Sequence, residues 1–241
     1  MRWMDITLPT PAENLALDEV LLDSAESGRA GDTLRFWEST APFVVLGTAQ
    51  VLRAEVRETA CAADEVPILR RCSAGGCVLQ GPGCLNYTLV LTFARFPQVR
   101  KLHDSYQYIL GRVAHAFSLH GVDAAPAGVS DLAVAGQKIS GNAQRRRRHA
   151  ILHHGTLLYA PNVASMTQYL KEPADQPAYR GGRAHRAFVG RLPLAPETLR
   201  AALCAAFSAH DPADRPLAEE MAASAALARE KYTQREWTYR R

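Results

Sequence analysis

A chain of 241 residues, 47% hydrophobic and 22% charged, has the make-up of a globular protein built around one large core. Its formal net charge of +4 is too mild to argue for a polyanion-binding surface. No apolar run reaches the roughly 18 residues of a membrane span, and the amino terminus lacks the apolar stretch and small-residue cleavage site of an export signal. One domain over residues 1–241, in the cytoplasm, is the expectation. The five cysteines (Cys61, Cys72, Cys77, Cys84 and Cys204) are odd in number and form no C-x-x-C pair. They read as reduced thiols, small core residues and not a disulfide framework or zinc ribbon.

Thr10, Pro11 and Glu13 open the first helix with a capping box, and Leu17, Val20, Leu21 and Ser24 then share one face. The runs "LRFWE" and "FVVLG", separated by "STAP", read as a pair of strands joined by a turn. From Leu85 to Phe93 the chain alternates with period two, so Leu85, Tyr87, Leu89, Leu91 and Phe93 make a wholly apolar face. Tyr106, Ile109, Leu110, Val113 and Phe117 recur at helical spacing, with Gly121 as a stop. "SDLAVAGQKIS" reads as strand, tight Ala-Gly turn and strand, and "AILHHGTLLY" as a further strand. Beyond Pro161 the pattern predicts a short helix in "VASMTQYL", a loop in "DQPAYRGGRAHRAF", a helix from Pro196, and a last helix over 216–232. In that last helix Glu219 and Glu220 come early and Arg229 and Lys231 late, complementing the helix dipole. Clustered, partly antiparallel strands with intervening helices predict an α+β fold with largely antiparallel mixed sheets.

Two polar, glycine-rich segments interrupt this pattern. In "RRCSAGGCVLQGPGCLNY", Arg70 and Arg71 precede Ser73, Gly75 and Gly76, so backbone N–H groups and guanidinium charge could meet a carboxylate or phosphate. In "GQKISGNAQRRRRHAILHHGT", Lys138 sits on a partly apolar strand and could aim a compact charge into a pocket. The bland alternatives are a hairpin with solvated arginines, an edge-strand lysine, and an arginine loop in water. His153 and His154 are neighbours on a strand and must face opposite sides, so they do not chelate one metal together. One should be internal and hydrogen bonded, the other nearer solvent. No structural metal is expected.

Taken in order, these segments resemble the lipoate–protein ligase family, within the wider biotin/lipoate ligase and octanoyltransferase superfamily. "PAENLALDEVLL" is similar to the family's first helix, "LRFWESTAPFVVLGTAQ" to its next strands, and "RRCSAGGCVLQGPG" to its Arg-Arg-x-Ser-Gly-Gly-Gly ligand loop. "SDLAVAGQKISGNAQRRRRHAILHHGTLL" matches the segment carrying the essential lysine, which falls on Lys138, and "EKYTQREWTYRR" resembles the end of the catalytic domain. The resemblance implies an architecture related to class II aminoacyl-tRNA synthetases. It also implies activation of lipoate or octanoate by ATP with Mg2+, then transfer to a lysine of an acidic lipoyl-domain protein. Lys138 would be catalytic. Arg70, Arg71, Ser73, Ala74, Gly75, Gly76, Gln80, Asp131, Ser140, Gly141, Asn142, His154 and Gly155 would bind acyl group and nucleotide. Trp37 and Gly47 would border an apolar acyl tunnel, and Arg145, Arg146, Arg147 and Arg148 would steer the acceptor. Ala74, Gln80 and Gly81-Pro82-Gly83 depart from the family pattern. The family's two-domain ligases continue into an accessory domain, so a separate accessory protein could be needed.

Two other readings compete. A thioester-dependent octanoyl or lipoyl transferase would carry the acyl group on a cysteine downstream of the lysine, but residues 151–196 contain none. Cys72, Cys77 and Cys84, in or beside the ligand loop, remain open as substitutes. A nucleic-acid-binding module built on the arginine run predicts binding that weakens steeply with salt, and leaves Lys138 and the glycine loops unexplained.

Overall fold

The structure, a computed structural model, describes residues 1–212 and 215–241. In chain order the strands are β1 (Arg2–Asp5), β2 (Thr33–Trp37), β3 (Phe43–Leu46), β4 (Ile68–Arg70), β5 (Val78–Gln80), β6 (Cys84–Thr92), β7 (Ala125–Ala127), β8 (Asp131–Val134), β9 (Gln137–Arg146), β10 (Ala150–Leu158) and β11 (Asp211–Pro212). The helices are α1 (Pro11–Glu26), α2 (Leu52–Glu55), α3 (Glu58–Ala63), α4 (Leu102–Ser118), α5 (Val163–Tyr169), α6 (His185–Phe188), α7 (Pro196–Ala206), α8 (Ala218–Leu227) and α9 (Arg235–Thr238). An eight-stranded sheet runs β11-β1-β2-β6-β10-β9-β8-β7, and a second sheet runs β4-β3-β5. Pairing is antiparallel except between β1 and its two neighbours and between β3 and β4. The α+β expectation holds. None of the described helices is long and apolar enough to cross a membrane.

The large sheet separates two chemistries because residues in register share a face. Leu34, Leu89, His153 and Gln144 form one cross-strand row. That face packs on α4 and α7, where Leu34, Leu85, Leu89, Leu91, Ile109, Leu110, Val113, Phe117, Leu199 and Leu203 are buried together. Burying each such side chain contributes about 1.5–3 kcal/mol. Arg35, Thr88, His154 and Ala143 form the next row, on the opposite face, under α1. Beyond it, Trp37, Asn86, Thr156 and Gly141 continue the same face toward the small sheet.

The expected capping box is present: Thr10 Oγ1 accepts from the Glu13 N–H and Glu13 accepts from the Thr10 N–H. The single apolar face expected of α1 is too narrow a description, since Asn14, Asp18, Glu19 and Ser24 are buried beside its leucines. The helix is covered by the sheet on one side and α8 on the other. The strands "LRFWE" and "FVVLG" exist but do not pair with each other. β2 pairs with β1 and β6, whereas β3 pairs with β4 and β5, so the Pro42-containing link carries the chain from one sheet to the other. The Ala-Gly turn joins β8 to β9 with both residues left-handed (Ala135 φ 48, Gly136 φ 74), the geometry that suits a two-residue hairpin. The helix expected over 216–232 begins at Ala218 and ends in a π-helical turn, Ala228–Tyr232, and the short α9 follows it.

Candidate functional site

Lys138 lies near the start of β9, an interior strand and not an edge, where two cavities meet. Its Nζ is 2.9 Å from Oδ1 of Asp131 on β8. The other oxygen of Asp131 accepts from the Tyr179 hydroxyl at 2.7 Å. Burial and the Asp131 carboxylate push the Tyr179 hydroxyl well above its ordinary pKa, so it remains a donor. The lysine stem crosses over Gly141: a Cβ there would stand 2.7 Å from Nζ and 2.8 Å from Cε. Glycine at 141 therefore gives the lysine its position. The bland reading of Lys138 as an exposed edge residue is excluded, because its side chain is only 25% exposed.

The ligand loop wraps around Arg71. Its Nη2 donates to the carbonyls of Ala74 (2.8 Å) and Gly76 (2.9 Å), and its Nε to Ser73 Oγ (2.9 Å). Nη1 makes no hydrogen bond among the described residues, and Arg71 lines the narrower cavity. Gly75 is left-handed (φ 94) and its carbonyl would sit 2.0 Å from a Cβ on Gly47. Gly47 thus seats the loop and does not line either cavity. Ala74 is exposed at the outer turn. The bland alternative of a hairpin with solvated arginines is excluded, since Arg70 and Arg71 are both buried.

Ser73 Oγ lies 2.6 Å from Nε2 of His154, whose Nδ1 is 3.3 Å from Oδ2 of Asp18. Asp18 Oδ1 in turn accepts from Arg35 at 2.6 Å. Burial opposes ionisation of Asp18, but the Arg35 guanidinium and His154 hold its carboxyl below the usual range. The Ser–His–Asp order suggests a nucleophile, yet Ser73 is fully buried and its oxygen already accepts from Arg71. The chain of contacts instead fixes the loop to the sheet and to α1. His153 faces the other way, as its neighbour requires. It is enclosed by Tyr87, Tyr106 and Gln144, and burial pushes its pKa down to about 3.

The narrower cavity, about 100 Å³, is walled by Trp37, Val45, Val78, Gln80, Asn86 and Thr156, with Asp18 and His154. It is more polar than an apolar acyl tunnel: Gln80 Nε2 donates to Thr156 Oγ1 at 2.7 Å, and Thr156 to Asn86. Gln80 Oε1 and Trp37 Nε1 are buried without a partner among the described residues. The wider cavity, about 360 Å³, adds Leu158, Met166, Leu170, Pro177, Arg180, His185 and Phe188. Lys138, Asp131 and Gly141 line both cavities, while Asn142, His154 and Gly155 line the narrower one. Asn142 also anchors the preceding loop, donating to the Ser130 carbonyl at 2.8 Å and accepting from Tyr87 at 2.6 Å.

Several expected site residues lie elsewhere. Arg70 is fully buried and holds the carboxyl-terminal segment: it donates to the carbonyls of Thr238, Gly47 and Gln50. Ser140 belongs to the Leu157 and Leu132 row and faces the α4 core. The four arginines form no single patch. Strand alternation sends Arg145 and Arg146 to opposite faces. Arg146 donates to the carbonyls of Val99 and Arg100 and lies over the Phe93 ring, and Arg147 pairs with Asp23 at 2.8 Å. Arg148 alone is exposed. Cys61, Cys72 and Cys84 are buried as expected, but Cys77 lines both cavities, its thiol pushed up to about 12 by burial against the opposing pull of Arg71. Among the described residues no three His, Cys, Asp or Glu side chains gather as a metal site.

Sequence reasoning missed Asp18, Tyr179, Glu172 and His185. Asp18 left a signal, lying four residues after Asn14 on a helix face otherwise filled with apolar residues. The others come from the long segment after α5, where spacing gives no clue to direction.

Residues 10–205 match the family described as the lipoyl protein ligase A/B catalytic domain. The "Probable lipoate-protein ligase A" of Mycoplasma pneumoniae is 31% identical over 160 residues, 66% of this chain and 46% of that protein. The chain thus spans about half the length of that relative. Octanoyltransferase LipM of Geobacillus kaustophilus is 26% identical over 274 residues, covering 100% of this chain and 98% of its own. Among solved structures, a lipoate-protein ligase A bound with ATP superposes with a TM-score of 0.83 at 23% identity, over 99% of both chains. A bi-partite lipoate protein ligase from Thermoplasma acidophilum, described with its E2 lipoyl domain, gives 0.82 at 24% identity, over 99% of this chain and 95% of that one. With most of its length matched and the same fold, the chain belongs to the lipoyl protein ligase A/B catalytic domain family, whose members include lipoate ligases and octanoyltransferases.

Proposed function

We propose that the chain is a lipoate–protein ligase, which joins lipoate or octanoate to AMP with ATP and passes the acyl group to a lysine of a lipoyl-domain protein. The observation that carries this reading is the position of the Lys138 ammonium at the junction of a narrow cavity and a wider one. In the proposed arrangement the acyl chain enters the narrow cavity past Trp37, Val45 and Gln80, and the nucleotide occupies the wider one. Lys138 stabilises negative charge as it develops on the acyl carbonyl and phosphate oxygens, and Asp131 with Tyr179 holds that ammonium in place. The unpartnered Nη1 of Arg71 and the backbone N–H groups of the ligand loop receive the carboxylate or phosphate. Mg2+ would arrive with the nucleotide and neutralise phosphate charge, with Asp131 the carboxylate nearest Lys138. The ATP-bound relative and the relative described with a lipoyl domain support nucleotide and acceptor in turn. Its bi-partite organisation likewise supports an accessory polypeptide as part of the proposal.

The thioester transferase is the second reading, favoured by the end-to-end match to an octanoyltransferase. Its weakness is the nucleophile: Cys77 is the thiol on the cavity wall, and at about 12 its pKa leaves little thiolate at neutral pH. The deciding experiment supplies the protein with lipoate, ATP and Mg2+, or with an octanoyl thioester, and looks for lipoyl-AMP and pyrophosphate. Adenylate formation that survives Cys77→Ser is the expected result. Acyl transfer from the thioester alone, abolished by Cys77→Ser, would overturn the ligase reading.

A further inference from the structure

We propose that His185, oriented by Glu172, is the general base that removes a proton from the acceptor lysine during acyl transfer. The inference rests on the acyl-transfer reading above and assigns a role that Lys138 cannot fill. An acceptor lysine titrates near 10.4, so only about one in a few thousand is a free amine at pH 7. A base must take that proton before nitrogen can attack.

Position, orientation and charge converge on His185. It opens α6, and the residues just after it are tied to β9: Gly190 N–H donates to the Lys138 carbonyl at 2.8 Å, and Val189 forms a parallel bridge with Lys138. His185 and Lys138 both wall the wider cavity. Nδ1 of His185 lies 2.9 Å from Oε1 of Glu172, a close approach not aligned as a hydrogen bond, and the same oxygen accepts the His185 backbone N–H at 3.2 Å. Glu172 is itself held by Arg180. A carboxylate beside Nδ1 favours the proton on that nitrogen, which leaves the lone pair on Nε2. Nε2 makes no hydrogen bond among the described residues. Burial lowers the imidazole pKa, Glu172 raises it, and Arg180 and Lys138 lower it; the balance is below the ordinary value, so the ring is neutral at pH 7. The remaining charged groups of the cavity wall are Glu55, Asp131, Lys171 and Asp175.

The other candidates fail on chemistry. Lys138 is a cation, and both oxygens of Asp131 are engaged by Lys138 and Tyr179. Both ring nitrogens of His154 are held by Ser73 and Asp18. Glu55 and Asp175 are carboxylates, bases too weak to compete with an imidazole. In the step itself the acceptor ammonium gives one proton to Nε2, and its nitrogen forms a bond to the acyl carbon. The bond from that carbon to the phosphate oxygen breaks, its electron pair leaving with AMP, and the second proton departs to solvent as the amide forms.

The test compares two acceptors in His185→Gln, each given lipoate, ATP and Mg2+: a lipoyl-domain lysine, and hydroxylamine, an amine already uncharged at neutral pH. We expect the ratio of lysine transfer to hydroxamate formation to fall on the order of a hundredfold from its wild-type value, with the hydroxamate formed showing that the variant is folded. The wild-type rate should be nearly flat above the imidazole pKa, whereas the variant's should climb about tenfold per pH unit from about pH 6 to 9. Equal loss with both acceptors, or an unchanged pH profile, would overturn the assignment. Wild-type protein that forms no hydroxamate with either ATP or an octanoyl thioester would sink the acyl-transfer reading itself, and this inference with it.

Discussion

The two ends of β9 carry very different charge. At one end stands Lys138, and at the other the run Arg145, Arg146, Arg147 and Arg148. The end with less charge is the one that faces the cavities. Lys138 has a single carboxylate partner and a glycine beneath its stem, so its ammonium is placed but not enclosed. The arginines alternate across the sheet, and two are committed to backbone carbonyls, an aromatic ring and Asp23. Charge density along the chain therefore says little about where charge is available. What counts is how many partners surround each group.

Replacing Lys138 should give the largest effect. Lys138→Met is expected to lower acyl transfer by about a hundredfold or more, with little change in melting temperature. An activity within a fewfold of wild type would erase the contrast between the two ends. Arg146→Ala should do the reverse, losing about 1–2 kcal/mol of stability in denaturant titration because partly buried carbonyl oxygens lose their donor, while turnover of the folded protein persists. Gly141→Ala sharpens the comparison at the lysine end. The flexible ammonium can move away from the new methyl, so stability should hardly change while transfer falls about tenfold. His153 gives a pH test of the face opposite the site. Its folded pKa of about 3 lies below the unfolded value, so the unfolded chain binds an extra proton between about pH 3 and 6.5. Stability should fall by about 1.4 kcal/mol per pH unit as pH drops through that window, and His153→Gln should remove that part of the slope. The smallest effect is expected from Arg145→Glu with Arg148→Glu: a few-fold slower acceptor modification at low salt, vanishing as salt is raised. An unchanged rate at low salt would end the docking idea.

The α+β class, the capping box, the β6 alternation and the β8–β9 hairpin were legible because each rests on local periodicity or turn chemistry. The separation of β2 from β3 was not, since two apolar runs look alike whether they pair with each other or with distant strands. At the site, Lys138, Asp131, His154 and the glycine loop could be picked out from the sequence, but which of them touch one another, and the added partners Asp18 and Tyr179, could not. Nothing near Arg70 distinguishes it from Arg71, yet one anchors the carboxyl-terminal segment and the other shapes the loop. That distinction depends on Thr238, 168 residues away. His185 was equally hidden, because the contacts that draw its loop to the sheet, from Gly190 and Val189 to Lys138 and from Tyr179 to Asp131, leave no local pattern in the sequence.

The loop that encircles Arg71 and rests on Gly47 is braced by the protein's own contacts, which reach through Ser73 and His154 into α1. A binding surface built in advance has little conformational entropy left to lose when its ligand arrives. Association at this loop should accordingly depend on access to the cavity and not on ordering of the loop, and loosening the seat at Gly47 should appear first as faster ligand release.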